Sequence, residues 1–314
     1  MLQNGPSGSP VPLKVIEPTA DIGNVTVPGT SLSVRERSLR ALEKLPPFSP
    51  ILNRLIASLA HEDVSFAKIA DLIEKDTVLA GSILRLVNSA LYGLPGTVNS
   101  IRHAVSMLGI NKLRNAALSM SVGRMWNQMK TPPSWSMARF NLHSVGVGIL
   151  ADLLAQRLNV PYAEGAFAAG LFHDLGVLLV ATGLPEEYLQ IAKLCQQDHT
   201  AIGDYELQVL GTTHAELSAE ALATWNLPEP IQIAVRYHVN PELDPSPIKP
   251  GQTTLSRVLA AADQHVKGMG TFVSVFEAQG EESAPALQSL GLGERLPTIM
   301  SEFDNEFAAI QPYF

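Results

Sequence analysis

Six residues in the C-terminal half of this 314-residue sequence are of types that can hold a metal: His143, His173, Asp174, His214, His238 and Asp263. Neutral imidazole and ionised carboxylate are donors for divalent cations, and helical bundles build such sites by projecting them inward from several helices. The informative stretch is Ala166–Val180, AFAAGLFHDLGVLLV, an apolar helix that carries the adjacent pair His173-Asp174 between Gly170 and Gly176. A run this apolar is expected to be buried, and a buried carboxylate costs several kcal/mol unless it is paired or bound to a cation. Neighbours on a helix point about 100° apart, so both side chains reach one ion only if it lies between their directions. The ordinary alternative is a core histidine satisfied by a hydrogen bond, with Asp174 bonded to a nearby donor. Taken singly, His143 also reads as a surface residue near a helix start, and His214 as a first-turn residue after Thr212-Thr213. Asp263 is harder to dismiss, because it interrupts the apolar face of LAAADQHV. A donor set without thiolate leaves iron, manganese, zinc and other divalent ions open, as one ion or two.

The elements that would carry these residues read as helices throughout. Val34–Leu45 has helical spacing and stops at Pro46-Pro47. Ser49-Pro50 opens ILNRLIASLA as a cap followed by proline at the first helical position. Ser65 caps FAKIADLIEKD, Thr77 begins VLAGSILRLVNSALYG, Ser100 caps IRHAVSMLG up to Gly109, and Asn111 opens KLRNAALSMSVGRMWNQM. After Thr131-Pro132-Pro133-Ser134, helices are expected over 136–159 (His143), 163–182 (His173-Asp174), 185–198, 201–210, 213–226 (His214), 228–239 (His238) and 253–267 (Asp263). Residues 281–314 hold one or two more. No period-two alternation is long enough for a sheet, and no glycine-rich phosphate loop is present. The class is all-α. Residues 1–30, with prolines at 6, 10, 12 and 18, read as a flexible tail. A helical lobe over 31–131, a second over 132–270, and a helical tail over 271–314 packed on the domain complete the expected organisation.

Composition narrows the functions. A hydrophobic content of 46% with 17% charged residues describes a chain with ample core. A net charge of −8 and a pI near 5.5 argue against nucleic acid as a partner. The single Cys195 excludes an intramolecular disulfide and a cysteine-based zinc site, and suits a reducing cytoplasm. MLQNGPSGSPVPLK lacks the apolar run of a signal peptide, and no apolar run is expected to reach the length needed to span a bilayer.

The order His143…His173-Asp174…His214…His238…Asp263 resembles the HD superfamily of metal-dependent phosphohydrolases. The N-terminal half resembles its HDOD branch (HD-related output domain) in Leu45-Pro46-Pro47-Phe48, in IADLIEKDTVLAGSILRLVNSALYG, in Ile101-Arg102-His103-Ala104-Val105 and in Leu108-Gly109. LFHDLG, THAELSAEALATWNLPEPI and RYHVNP continue it, so the likeness covers roughly residues 40–265. It implies that His143, His173, Asp174 and Asp263 hold one metal, with Asp174 bridging to a second held by His214 and His238. Two positions depart from the catalytic pattern: Val239 stands where a second consecutive histidine is usual, and Val177 where the HD-GYP phosphodiesterases often carry lysine. The implied function is a bacterial signal-transduction output module. It would act through a protein partner or a small ligand such as a nucleotide, with a structural or vestigial metal site. A metal-dependent phosphohydrolase acting on a nucleotide or cyclic dinucleotide is the alternative. Arg139 and Arg236 are the nearest candidates for a phosphate clamp, and each also reads as a helix-surface charge.

Other residues have plainer roles. Asn88-Ser89 reads as a hydrogen-bond network closing a helix end, with a ligand groove as the alternative. Trp126 and Trp135 read as packing between the lobes, or, if exposed, as a binding anchor. His61, His103, His199 and His265 fit no metal position.

Overall fold

Side-chain caps define where the helices begin. Ser33, Ser49, Asp76, Ser100, Ser136, Thr213 and Thr254 each accept a hydrogen bond from the backbone N–H three residues on. Each satisfies one of the donors that a helix start leaves unpaired. A computed structural model describes residues 32–59, 66–92, 96–198, 202–270 and 284–314. The expected tail over 1–30, the cap at Ser65, His61 and His199 fall outside the described residues.

In chain order the first helices are α1 (Val34–Ala41), α2 (Pro50–Ala57), α3 (Phe66–Glu74), α4 (Thr77–Val87), α5 (Ile101–Leu108) and α6 (Ile110–Trp126). After Thr131–Ser134 come α7 (Met137–Ala155), α8 (Ala166–Phe172), α9 (Leu175–Gly183), α10 (Pro185–Asp198) and α11 (Ile202–Leu210). They are followed by α12 (His214–Thr224), α13 (Glu229–Arg236), α14 (Leu255–Gly268), α15 (Ala284–Ser289) and α16 (Leu296–Ile310). No strand occurs among the described residues, and the fold is all-α.

Helices α2 to α6 pack on one another, and α7 is the axis of the remainder, flanked by α8, α14 and α16. α12 lies between α9 and α13, and α13 packs on α14. α1 belongs with α9 and α11 rather than with the helices that follow it. Aromatic rings join the two halves of the chain. Phe48 packs at 4.1 Å on Trp225 with the rings tilted by 38°, while Trp126 meets Phe140 at 4.7 Å and Phe172 at 6.2 Å. Trp135 packs on Phe140 and Tyr188. Both tryptophans are buried, so they are interior packing and not a binding anchor. Each fully buried large ring contributes about 2–3 kcal/mol.

Asn88 closes the end of α4 as expected. Its amide donates to the carbonyls of Leu84 and Val98, and its oxygen accepts from the Val98 N–H, all at 2.7 Å.

Two expectations need correction. Residues 166–180 are not one helix: α8 ends at Phe172 and α9 begins at Leu175, with His173-Asp174 in the turn between them. The stretch Ala163–Gly183 is, by length and composition, apolar enough to cross a membrane, although no such run was expected; 94% of its apolar window is buried inside the protein. Its apolarity serves the interior, where α8 lies against α7 on one side and α9 against α12 on the other.

Candidate metal centre

Five elements bring the six residues together. His143 lies in the middle of α7 and Asp263 in α14. His173-Asp174 occupy the turn between α8 and α9, with Asp174 at φ −98° and ψ 14°. His214 is the first residue of α12, and His238 follows the end of α13. The sequence placed all six on helices; the structure puts four of them at helix ends or in turns. A turn lets adjacent residues converge in a way that the 100° spacing of a helix resists.

The close approach of the backbone needs glycine at two positions. A Cβ on Gly170 would come within 2.6 Å of the Gly148 backbone of α7. A Cβ on Gly176 would sit 2.1 Å from the His214 carbonyl oxygen. The Gly176 N–H also donates to Ser218 Oγ at 2.7 Å, tying α9 to α12.

All six residues are buried, from 0% exposure for His143 and His173 to 6% for Asp263. His143 Nε2 lies 3.2 Å from His173 Nε2, 3.3 Å from Asp174 Oδ2 and 3.1 Å from Asp263 Oδ1. His173 Nε2 lies 3.2 Å from Asp174 Oδ2 and 3.3 Å from Asp263 Oδ1. The other oxygen of Asp174, Oδ1, faces His214 Nε2 at 3.5 Å and His238 Nε2 at 3.7 Å. Asp174 thus turns one oxygen to each of two donor groups, a tetrad and a triad.

The protons can be placed from the partners. His173 Nδ1 meets the Gly170 carbonyl at 2.8 Å, and His238 Nδ1 meets the Val235 carbonyl at 2.7 Å. Carbonyls only accept, so both Nδ1 atoms donate. His214 Nδ1 donates likewise to Glu206 Oε2 at 2.7 Å, and the same oxygen accepts the His214 backbone N–H at 2.8 Å. In the neutral rings each Nε2 then presents a lone pair to carboxylate oxygens that also have only lone pairs to offer. Asp174 Oδ1 and Oδ2, Asp263 Oδ1, His214 Nε2 and His238 Nε2 are buried without a hydrogen-bond partner of acceptable geometry. Acceptors converging on acceptors in the interior need a cation between them.

The spacings fit one. Ligands about 2.1 Å from a divalent ion lie about 3.0 Å apart at right angles and about 3.4 Å apart in a tetrahedron. The tetrad, at 3.1–3.3 Å, falls inside that range. The triad at 3.5–3.7 Å is wider and has one donor fewer.

The ionisation of the metal-free cluster shows the same need. Burial would lower the His173 pKa, but Asp174 and Asp263 outweigh it and push it up to about 10. Burial would raise both carboxyls, yet His173 and Lys267 hold Asp174 and Asp263 well below the usual carboxylate range. Burial lowers His238. Without a metal, a proton on an imidazole serves as the missing cation.

Two partners escaped sequence reasoning. Lys267, one turn beyond Asp263 on α14, donates to Asp263 Oδ2 at 2.8 Å. The i, i+4 spacing was the available signal. Glu206, 2% exposed, orients His214 from α11, and no spacing pointed to it. Neither arginine forms a clamp: Arg139 is exposed, and Arg236 pairs with Glu220 at 2.6 Å. Val239, which stands where a second consecutive histidine is usual, is 48% exposed. His103 is exposed, and His265 packs edge-on against Phe303.

Comparison with known proteins gives the family and the fold. The HDOD domain family model matches residues 45–241. The chain is 24% identical over 309 residues to an uncharacterized protein of Treponema pallidum (strain Nichols), covering 94% of this chain and 58% of that protein. It therefore spans less than two thirds of that relative. The fold matches an HDOD domain protein of unknown function from Geobacter sulfurreducens, with TM-score 0.69, 25% identity, and coverage of 89% of this chain and 99% of that one. A phosphohydrolase candidate from Shewanella amazonensis SB2B gives TM-score 0.67 at 21% identity, covering 88% and 97%. A signal transduction candidate from Marinobacter aquaeolei VT8 gives 0.66 at 22%, covering 89% and 64%. Asp263 lies beyond the matched residues, yet the fold returns it to the tetrad. With the family match spanning more than half its length, the chain belongs to the HDOD domain family.

Proposed function

We propose that this chain is a signal-transduction output module in which a divalent metal locks the second half of the fold together, and which acts through protein or small-ligand contacts. The observation that carries the reading is burial: no residue of the candidate centre is more than 6% exposed, whereas hydrolysis at a metal needs a position open to water and substrate. His143, His173, Asp174 and Asp263 would hold the ion, joining α7, the α8–α9 turn and α14. Charge supports one ion rather than two. Asp174, Asp263 and Glu206 bring three negative charges and Lys267 returns one positive, leaving the two that a single divalent ion cancels. A second ion would leave excess positive charge in the interior. A net charge of −8 and a single, buried cysteine suit a cytoplasmic protein whose partner is neither nucleic acid nor membrane.

A metal-dependent phosphohydrolase is the second reading, favoured by one observation: Asp174 offers an oxygen to each donor group, as a bridging carboxylate would. A bound divalent ion supplies polarisation of a phosphoryl oxygen and a water of lowered pKa. In that case Lys267, whose side chain is 25% exposed, is the cation placed to meet a phosphate.

The test is the metal content of protein purified without added metal or chelator, measured by elemental mass spectrometry beside Asp174→Ala. About one ion per chain that disappears in the variant, with no release of phosphate from nucleotides or cyclic dinucleotides, is expected. Two ions with turnover would establish the hydrolase. A chain that stays metal-free when offered iron, manganese and zinc would overturn both readings.

A further inference from the structure

The tetrad of the candidate metal centre is not closed equally on all sides. His143, His173 and Asp174 are 0–1% exposed, whereas Asp263 is 6% exposed. Asp263 also divides its carboxylate. Oδ1 lies 3.1 Å from His143 Nε2 and 3.3 Å from His173 Nε2, while Oδ2 accepts from the Lys267 ammonium at 2.8 Å. Lys267 stands one turn further along α14, with its side chain 25% exposed.

Elsewhere around the centre the closure is made by backbone. Gly170 leaves no room for a Cβ against Gly148, nor does Gly176 against the His214 carbonyl. Opening there would part α8 from α7 or α9 from α12. At Asp263 the closing contact is a side-chain hydrogen bond, from a lysine whose flexible four-carbon stem can turn toward water. Moving a partly exposed side chain costs far less than separating packed helices, so the centre opens first at Asp263.

We infer that Lys267 is the latch of the metal centre: its hydrogen bond to Asp263 Oδ2 holds that carboxylate in the tetrad and sets how fast metal is gained and lost. The latch rests on the reading that the tetrad holds a divalent ion, and it assigns the rate of exchange to a residue outside the ligand set. Lys267 is a positioning residue, acting through Asp263. Once the bond opens, Asp263 turns outward about its own side-chain torsions while His143, His173 and Asp174 stay in place. The bond uses Oδ2 and leaves Oδ1 to the tetrad, so it persists with and without metal and has to break in both directions of exchange. A latch therefore changes loading and release together and leaves the affinity little altered. A residue that only strengthens a ligand changes release and affinity and leaves loading alone.

The experiment uses the full chain loaded with zinc, or with manganese where zinc is not retained. Release is followed with a chromogenic chelator in excess, and loading by rapid mixing with the metal-free chain. The wild type is expected to release metal at a rate independent of chelator concentration, because opening precedes capture. Lys267→Met should speed release and loading alike by about tenfold, the factor for one charge-assisted hydrogen bond, with affinity within about threefold. Lys267→Arg, which can still donate to Oδ2, should stay near the wild type. Arg257→Met, near the start of α14 where Arg257 pairs with Glu242, should leave both rates unchanged. Melting of the metal-free variants checks folding, and Lys267→Gln takes the place of Lys267→Met if that variant does not fold. Rates unchanged in Lys267→Met, or release that quickens without loading, would overturn the latch and leave the metal reading standing. Wild-type release in proportion to chelator concentration would overturn it as well. A chain that takes up neither zinc nor manganese nor iron would overturn the latch and the metal reading together.

Discussion

Two polar clusters in this protein, one buried and one half-buried, differ in one respect. At the candidate metal centre, acceptors face acceptors: three imidazole protons are already committed outward, to Gly170, Val235 and Glu206, and the inner lone pairs converge on two carboxylates. Around Asp152 on α7, donors alternate with acceptors. Asn115 and Gln156 donate to Asp152 Oδ2 at 3.2 and 2.8 Å, and Lys112 pairs with Glu306. The gap left there is about 20 Å³, room for a single water. What marks the candidate metal site is a set of converging lone pairs with too few protons to separate them.

The sharpest way to break this contrast is Asp174→Ala, which removes the residue shared by both donor groups. It should abolish metal retention and lower the melting temperature by about 10 °C, the effect of losing a few kcal/mol of buried charge pairing in a chain this size. A variant that melts like the wild type would mean that the cluster is satisfied without a metal.

Gly176→Ala should follow, because the new methyl meets the His214 carbonyl and no side chain can yield. Displacement of α12 is expected to cost about 3 kcal/mol by chemical denaturation. Metal should survive if the tetrad alone holds it, since His214 belongs to the triad.

The Asp152 cluster predicts a pH dependence of opposite character. Burial pushes the Asp152 carboxyl up to about 6, with Glu306 adding to the rise against Gln156, Arg114 and Lys112. A carboxyl whose pKa is higher in the folded state binds its proton more tightly there, so its contribution is fully present below the unfolded value of about 4 and is lost as pH rises through 6. Asp152→Asn should accordingly stabilise the protein at pH 7, by on the order of 2 kcal/mol, and change little at pH 4. Equal effects at both pH values would show that Asp152 is ionised without cost.

The smallest effect is expected for Glu206→Gln, which weakens the orientation of His214 but leaves the tetrad intact. Metal content should remain near one ion per chain, with at most about a tenfold loss of affinity in a chelator competition. Loss of all metal would make the triad essential and dissolve the distinction between the two donor groups.

Much of this was legible from residue types and order. The caps at Ser49 and Ser100, the stop at Gly109 (φ 80°) and the all-α class follow from local rules that act within a few residues. The six His and Asp positions carried the family resemblance, and the fold brings them together as two groups sharing Asp174. Periodicity could not show that His173-Asp174 breaks its helix, because an apolar run continues unchanged through the turn and the break is stabilised by contacts with distant residues. His238 likewise lies past the end of its helix, where the expected range ran on to Val239.

The sequence by itself determined the donor types, the helical class and the burial of the apolar stretch, since these depend on composition and short-range spacing. Only the tertiary structure decided that Asp174 turns one oxygen to each donor group, that Glu206 and Lys267 attend the centre, and that the centre is closed to solvent. Those properties arise where separate helices meet. Their distances are set by close approach, as at Gly176 against His214, and no local pattern in the chain encodes them.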